Sequence, residues 1–558
     1  MSLTILTLVL TLVLAVPLGL WCKKVLNHDV PFANRTEEFV MKKLHISSRE
    51  MNWKQYLLAA GLLAAVSFAV LLVILLAQGM EFWVAFNTAC SFVTNTNWQS
   101  YDPVLSLDWQ AQAFGLTVQN FVSTAMGICV LFALIRGLIQ KQKNGLGNFW
   151  QDMLGTLLFV LLPLNLLVSG ILAQQGVPMN LNSEQYSALS EPVAADAQGR
   201  ILEDALIENG QVLVDGKPVQ DAVIITEQRI PGGMAASQIA IKQSGTNGGG
   251  ITAANSASPF ENPTPLTNVL ENVLILLIPM ALCFSFGFMT KNRKQGYAVF
   301  AAMFILFVLA AAAVMIPELQ AMDMEGKEAR IGVASSALWS ASTTAASSGS
   351  VNSALNSMNP VSSMICLVLM QVGEVIFGGA GSGLYGMLAF VILTVFIAGL
   401  MVGRTPEFMH KKIEPREMKW AVILCLATPV CILAGSAISA LCPMEGLDPG
   451  AHGFTQLLYA WSSMGANNGS AMGGYSTAGW LLNGLGGLLM LAARFVPMAG
   501  ALAIAGSLSA KKPLADNSGV LKTDNGMFVF LLILVVLLIG ALSFFPALAL
   551  GPVAEFLG

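Results

Sequence analysis

Charge is scarce in this chain. Only 11% of its 558 residues are charged, against 55% hydrophobic. Soluble domains carry about 25% charged residues, so a water-soluble fold is excluded and a polytopic membrane protein remains. The eight cysteines (Cys22, Cys90, Cys129, Cys283, Cys366, Cys425, Cys431 and Cys442) form no C-x-x-C pair, and most lie in apolar runs. They read as small buried hydrophobes, not as metal or disulfide chemistry. The four histidines, His28, His45, His410 and His452, lack metal-ligand spacing. There is no G-x-x-x-x-G-K-[ST] loop and no D-K-T-G phosphorylation motif, so ATP chemistry would have to come from another chain. No Ser/His/Asp, H-E-x-x-H or paired-aspartate constellation lies in an apolar run, which makes an intramembrane enzyme the weakest reading. No catalytic residue or cofactor is expected. The net charge of −4 points to no particular partner, and no nucleic-acid partner is expected.

What the chain does have is apolar runs of bilayer-crossing length. They fall at 3–22, 56–77, 114–135, 152–173, 267–289, 296–316, 362–402, 419–441, 480–507 and 527–550. The first run has no charge before Lys23 and is long for a signal-peptide core. It reads as a retained helix. Of the 28 basic residues, 21 fall in segments on one side of this ten-span arrangement. Only Arg200, Lys217, Arg229, Lys242, Lys327 and Arg330 fall on the other, and Arg494 lies inside a span. The positive-inside rule then places both termini outside the cytoplasm. The run at 362–402 is twice the usual length and is interrupted by Gly378, Gly379, Gly381 and Gly383. Two crossings there would move Lys411 and Lys419 outside, so charge favours one long broken helix. Glu374, just before the break, is an intramembrane carboxylate and a functional candidate for that reason.

Four glycine-, asparagine- and hydroxyl-rich segments interrupt the oily sequence, at 94–97, 245–250, 344–349 and 465–469. Each follows a short amphipathic stretch, at 82–93, 234–243, 333–343 and 453–463, too short to span. All enter from the outside. Non-helical backbone is tolerated at membrane depth only when buried in protein or lining a water-filled cavity. Four such segments predict four quarters of one pore, built as parallel repeats. The expected plan is an all-α membrane protein: a leading helix and cytoplasmic segment at 1–55, pore repeats at 56–138, 149–290, 296–403 and 419–508, and a trailing helix at 527–558. A polar insert at 174–233 carries an alternating stretch that suggests a β-hairpin turning at Asn209-Gly210 and Asp215-Gly216. A dehydrated cation needs several oxygen ligands at once. Glycine allows successive carbonyls to point one way, and short helices aim their carbonyl ends at the axis.

The motifs EMNWKQYL (50–57), FVTNTNWQSY (92–101), GLTVQNF (115–121), GTNGGG (245–250), DMEGKEAR (323–330), GEVIFGGAGSGLYGML (373–388), GRTPEF (403–408) and PALALGPVAE (546–555) resemble the potassium-binding and translocating A subunit family of the bacterial Kdp potassium-transporting ATPase. The resemblance runs from about residue 50 to the C-terminus. It implies a four-fold pseudo-symmetric, channel-like fold with a potassium filter. Carried over by motif, the filter is Thr94, Asn95, Thr96 and Asn97, with Gln99 in support. Ser244, Gly245, Thr246, Asn247 and Gly248 form its second wall. Ala346, Ser347, Ser348 and Gly349 form the third, and Ala466, Asn467, Asn468 and Gly469 the fourth. Glu374 with Gly378, Gly379, Gly381 and Gly383 is expected to form a gating loop, and Arg494 a barrier beneath the filter. Potassium is the only metal implied, as substrate. The implied partners are a P-type ATPase subunit, a single-span accessory subunit and a small membrane peptide in the bacterial inner membrane, with this chain as a non-hydrolytic subunit. The alternative is a self-sufficient potassium channel or symporter of the same superfamily.

Overall fold

The apolar runs become helices. The computed structural model describes residues 2–558 except 197–200, 209, 220, 402, 443, 478 and 515–519, so Arg200 and Asn209 fall outside the described set. Ten helices among the described residues are long and apolar enough to cross a membrane. In chain order the helices are α1 (Ser2–Leu26), α2 (Pro31–Lys43), α3 (Trp53–Ala77), α4 (Phe82–Val93), α5 (Ala111–Ile139) and α6 (Phe149–Gln174). They continue with α7 (Ala235–Ser244), α8 (Pro265–Met289), α9 (Arg293–Ala321), α10 (Val333–Ala345), α11 (Pro360–Gln371) and α12 (Ser382–Met401). The last four are α13 (Pro415–Leu441), α14 (Ala451–Ala466), α15 (Leu481–Ser509) and α16 (Gly526–Leu557). The fold class is thus the all-helical membrane architecture read from the sequence, with four helix–short helix–helix units between α1 and α16.

The second spanning helix of each unit lies inward. In its most apolar window α5 is 89% buried and α8 94%, against 22% for α3 and 39% for α6. The first helices therefore form the outer, lipid-facing layer, where Leu58, Val66 and Val73 of α3 are exposed. No hydrophobic drive separates such helices from lipid, so small residues decide close packing. Along α1 the buried stripe Thr11, Ala15, Gly19 and Cys22 lies against α8. A Cβ on Gly19 would overlap the Ala281 carbonyl. Ser285 Oγ donates to the Gly19 carbonyl at 2.8 Å.

One buried ion pair ties the first two units together beneath the pore region. Arg136 at the end of α5 grips Asp152 of α6 through both its terminal nitrogens, at 2.6 and 2.7 Å. It also donates to the carbonyls of Leu26 and Leu146. The Tyr56 hydroxyl donates to Asp152 at 2.8 Å. Asp152 is fully buried, so Asp152→Asn leaves an uncompensated guanidinium. Such a change costs about 3–5 kcal/mol. The expected result is a much lower thermal unfolding temperature in detergent; an unchanged one overturns the assignment of this pair as a keystone.

The long run at 362–402 resolves into α11 and α12 with irregular backbone between them. The break starts earlier than the glycine cluster suggests. α11 ends at Gln371 because Gly373 and Glu374 take left-handed φ values of 78° and 49°. Glu374 therefore lies inside the break, and Gly383 already belongs to the first turn of α12. Two of the basic residues counted outside, Lys242 and Lys327, are buried, each paired with a buried glutamate, Glu261 and Glu318.

In the insert, β2 (Leu206–Glu208), β3 (Gln211–Val214) and β4 (Lys217–Pro218) form a small antiparallel sheet. It turns at Gly210 and again at Asp215 and Gly216, all with positive φ. A longer ribbon pairs β1 (Glu184–Ala195) with β5 (Val223–Pro231) and carries this sheet. The sequence pattern does not disclose that ribbon.

Candidate functional site

The four short helices α4, α7, α10 and α14 each end at one of the polar segments. Their closing carbonyls carry partial negative charge. The first residue after the helix is right-handed at Thr94 (φ −90°), Gly245 (φ −82°) and Ala346 (φ −88°). The next residue is left-handed in all four: Asn95 at 63°, Thr246 at 51°, Ser347 at 54° and Asn467 at 62°. Two residues on, the left hand returns at Asn97 (57°), Gly248 (72°), Gly349 (76°) and Gly469 (98°). Left-handed backbone costs a non-glycine residue about 1–2 kcal/mol, and a β-branched one such as Thr246 is a true outlier. Its recurrence at matching places marks one repeated device.

The device sorts polar groups onto two sides. Backbone N–H groups turn back onto the short helices. Thr96 and Asn97 donate to the Ser91 carbonyl, Asn247 and Gly248 to Lys242, Ser348 to Thr343 and Asn468 to Ser463, all within 2.8–3.3 Å. Alternating hands converge the N–H groups on one face of a strand, which leaves carbonyls for the other.

The strands close into a ring in the order first, second, third, fourth. Asn95 Nδ2 donates to the Thr246 carbonyl at 2.9 Å. Ser347 Oγ donates to the Asn467 carbonyl at 2.8 Å, and Asn467 Nδ2 to Thr96 Oγ1 at 3.0 Å. Between strands two and three the contact is backbone on backbone. A Cβ on Gly248 would overlap the Ser348 carbonyl oxygen. The same would happen between Gly349 and Asn468, and between Gly469 and Thr96. The first strand carries Asn97 at that place, and its amide donates to the Gly248 carbonyl at 3.0 Å. Gln99 bridges the first strand to the next loop, accepting from the Gly250 N–H at 2.9 Å.

A vestibule of about 360 Å³ opens beyond the ring, lined by Asn97, Gly349, Gly469, Gln99 and Asp102. On the opposite side, the α11–α12 break touches the strands. The Ala380 N–H donates to Thr246 Oγ1 at 2.9 Å. Glu374 Oε1 accepts from Asn468 Nδ2, also at 2.9 Å. Gly379 sits beside Ser347 and Thr246, and Gly381 against the Gly127 carbonyl of α5. Glu374, Asn467 and Arg494 share a small cavity of about 40 Å³. That is room for a few waters. Arg494 is 5% exposed and interacts electrostatically with the Glu374 carboxyl that lines the same cavity.

The comparisons with known proteins agree over the whole length. The family profile described as Potassium-transporting ATPase A subunit matches residues 5–557. The chain belongs to the potassium-transporting ATPase A subunit family. It is similar to the "Potassium-transporting ATPase potassium-binding subunit" of Clostridium botulinum (strain Alaska E43 / Type E3), with 48% identity over 98% of this chain and 97% of the relative. The protein so named in Listeria monocytogenes serotype 4b (strain F2365) is 46% identical, again over 98% and 97%. The crystal structure of the potassium transporter TrkH from Vibrio parahaemolyticus matches in fold, with TM-score 0.52 and 14% identity over 89% of this chain and 98% of that one.

The four filter segments and the helix break read from the sequence come together here, with shifts at the edges. Ser244 ends α7 and turns its hydroxyl away from the ring, to Asn165 Oδ1 at 2.8 Å. Ala466 is the last residue of α14. Other residues complete the ring without having been singled out. Asn120, Ser123 and Thr124 of α5 hold Asn97, Asn95 and Asn247 from behind. Their spacing places one polar stripe on an apolar helix, a signal available in the sequence. Lys242 and Glu261 carried no such signal.

Proposed function

We propose that this chain binds potassium selectively and translocates it as a subunit of an ATP-driven, high-affinity uptake complex. The observation that carries the reading is the ring of four strands with matched alternating hands. Thr94–Asn97, Gly245–Gly248, Ala346–Gly349 and Ala466–Gly469 supply the oxygen ligands, with Ser244 at the rim and Gln99 in support. Family membership and the names of the relatives support the same reading. Because the chain has neither a nucleotide loop nor a phosphorylation motif, ATP hydrolysis falls to a P-type ATPase subunit. A single-span subunit and a small membrane peptide complete the assembly. The basic-residue asymmetry supports an inner-membrane topology with both termini outside the cytoplasm. The test is purification from native membranes. A P-type ATPase chain should co-purify and hydrolyse ATP in response to potassium. Potassium flux through this chain alone in liposomes overturns the reading.

The α11–α12 break is assigned a gating role, with Glu374, Gly378, Gly379 and Gly381 in the loop and Gly383 packed against Gly378. Gly381 has φ 90° and no room for a Cβ. Gly381→Ala should therefore reduce transport more than Gly379→Ala, and both should keep potassium binding. Normal transport in both variants sinks the gating role.

A further inference from the structure

The four strands are not held alike where they leave the ring. In the third unit the Trp339 indole donates to the Ser350 carbonyl at 2.9 Å. In the fourth the Tyr459 hydroxyl bonds the Ser470 hydroxyl at 2.8 Å. Each aromatic stands one helical turn before Thr343 or Ser463, and each serine directly follows the last strand residue. In the second unit these two places are Gln238 and Gly249. The strand there runs on through Gly248, Gly249 and Gly250, with no side chain of its own and the largest backbone freedom; from the first strand Asn97 reaches the Gly248 carbonyl and Gln99 the Gly250 N–H.

Lys242 takes over that task. It occupies the place of Ser91, Thr343 and Ser463, and its own carbonyl receives the Asn247 and Gly248 N–H groups. Its ammonium donates to Asn255 Oδ1 at 2.7 Å and pairs with Glu261 Oε2. Both partners then reach the strand. Asn255 Nδ2 donates to the Gly249 carbonyl at 2.6 Å. Glu261 Oε1 accepts from the Ile251 and Thr252 N–H groups at 2.9 and 2.8 Å. Lys242 is 1% exposed and Glu261 0%, so water cannot replace either. The pair is neutral overall and so leaves the cation beside it unopposed.

We propose that Lys242, Asn255 and Glu261 form a positioning relay that fixes the backbone of Gly248–Thr252 and thereby sets which alkali cation the ring prefers. The inference rests on the ring being the potassium site. Discrimination between potassium and rubidium depends on how firmly the ligand oxygens hold their spacing and on their number. A wall of free glycines adapts to the larger ion; a relayed one does not.

The test compares half-saturating potassium and rubidium concentrations for the full chain with its co-purifying subunits. The neutral double variant K242M/E261M removes both charges of the relay pair together. Its preference for potassium over rubidium should fall at least fivefold. A role confined to stability lowers the unfolding temperature but leaves this ratio unchanged in the folded fraction. Asn255→Ala keeps the ion pair and cuts one arm, so its ratio should fall in the same direction, at least twofold. A wild-type ratio in folded K242M/E261M overturns the relay, as does a wild-type ratio in Asn255→Ala if the double variant does not fold. Gly248→Asp separates the two readings. Normal potassium use in that variant sinks the ring itself, whereas normal ratios confined to the relay variants sink only the relay.

Discussion

Gly248→Asp should abolish uptake at micromolar potassium. Three effects add at one atom. Residue 248 holds φ 72°, in the region that non-glycine residues adopt at a cost of about 1–2 kcal/mol. A Cβ there would overlap the Ser348 carbonyl oxygen, so strands two and three must part. The added carboxylate sits among carbonyl ligands and competes for the cation at the wrong distance. A loss of at least about 3 kcal/mol corresponds to roughly a hundredfold weaker binding. Gly248→Ala keeps the steric effect and omits the charge, so it should lose less. Gln99→Arg should weaken binding in the same sense, by setting a cation at the vestibule and releasing the Gly250 N–H. The measurement is potassium-dependent uptake in cells without other potassium uptake systems. Wild-type uptake by Gly248→Asp rejects the ring as the binding site.

Arg494→Met should leave potassium binding in place and make the protein leaky. The guanidinium lies beneath the ring in the cavity shared with Glu374 and Asn467. A charge buried at membrane depth is costly without a partner; the Glu374 carboxyl lines the same cavity and interacts with this guanidinium electrostatically. Its field acts on whatever enters that cavity. At an effective dielectric constant of 20, two unit charges about 4 Å apart repel by about 4 kcal/mol. That lowers local cation occupancy by roughly a thousandfold. With Met the repulsion vanishes. ATP hydrolysis by the assembly should then continue with little net uptake, and potassium should run down its gradient through proteoliposomes. Arg494→Lys keeps the charge as a more compact group and should restore most of the coupling. Tight coupling without leak in Arg494→Met rejects the barrier and weakens the argument for a pump subunit over a channel.

The ring was legible in the sequence because its demands are chemical and local. Left-handed backbone and ligand oxygens call for Gly, Asn, Ser and Thr, and those residues stand out between apolar runs. The break between α11 and α12 was legible in kind but not in place. Its turning residues include Glu374 and Phe377, whose left-handed conformations no intrinsic preference announces. They are imposed by surroundings: the Asn468 amide on Glu374, and a nest of Phe300, Phe304 and Phe307 around Phe377. Lys242 was misleading. A lysine near an outer loop counts as surface charge until its partner is known, and Glu261 is joined to it only by the fold. The ribbon at Glu184–Ala195 was hidden for a related reason, since its partner strand lies beyond the whole β2–β4 sheet and its register shifts midway.

Asn97 stands alone at a place where the other three strands have glycine. In a pore made of four identical chains, one codon change would alter all four walls together, and most such changes would be lethal to the site. Here each wall has its own codons. A single substitution rewrites one wall and leaves the sequence of the other three unchanged. The covalent joining of four units thus lets each wall carry its own residues, as Asn97 does opposite three glycines.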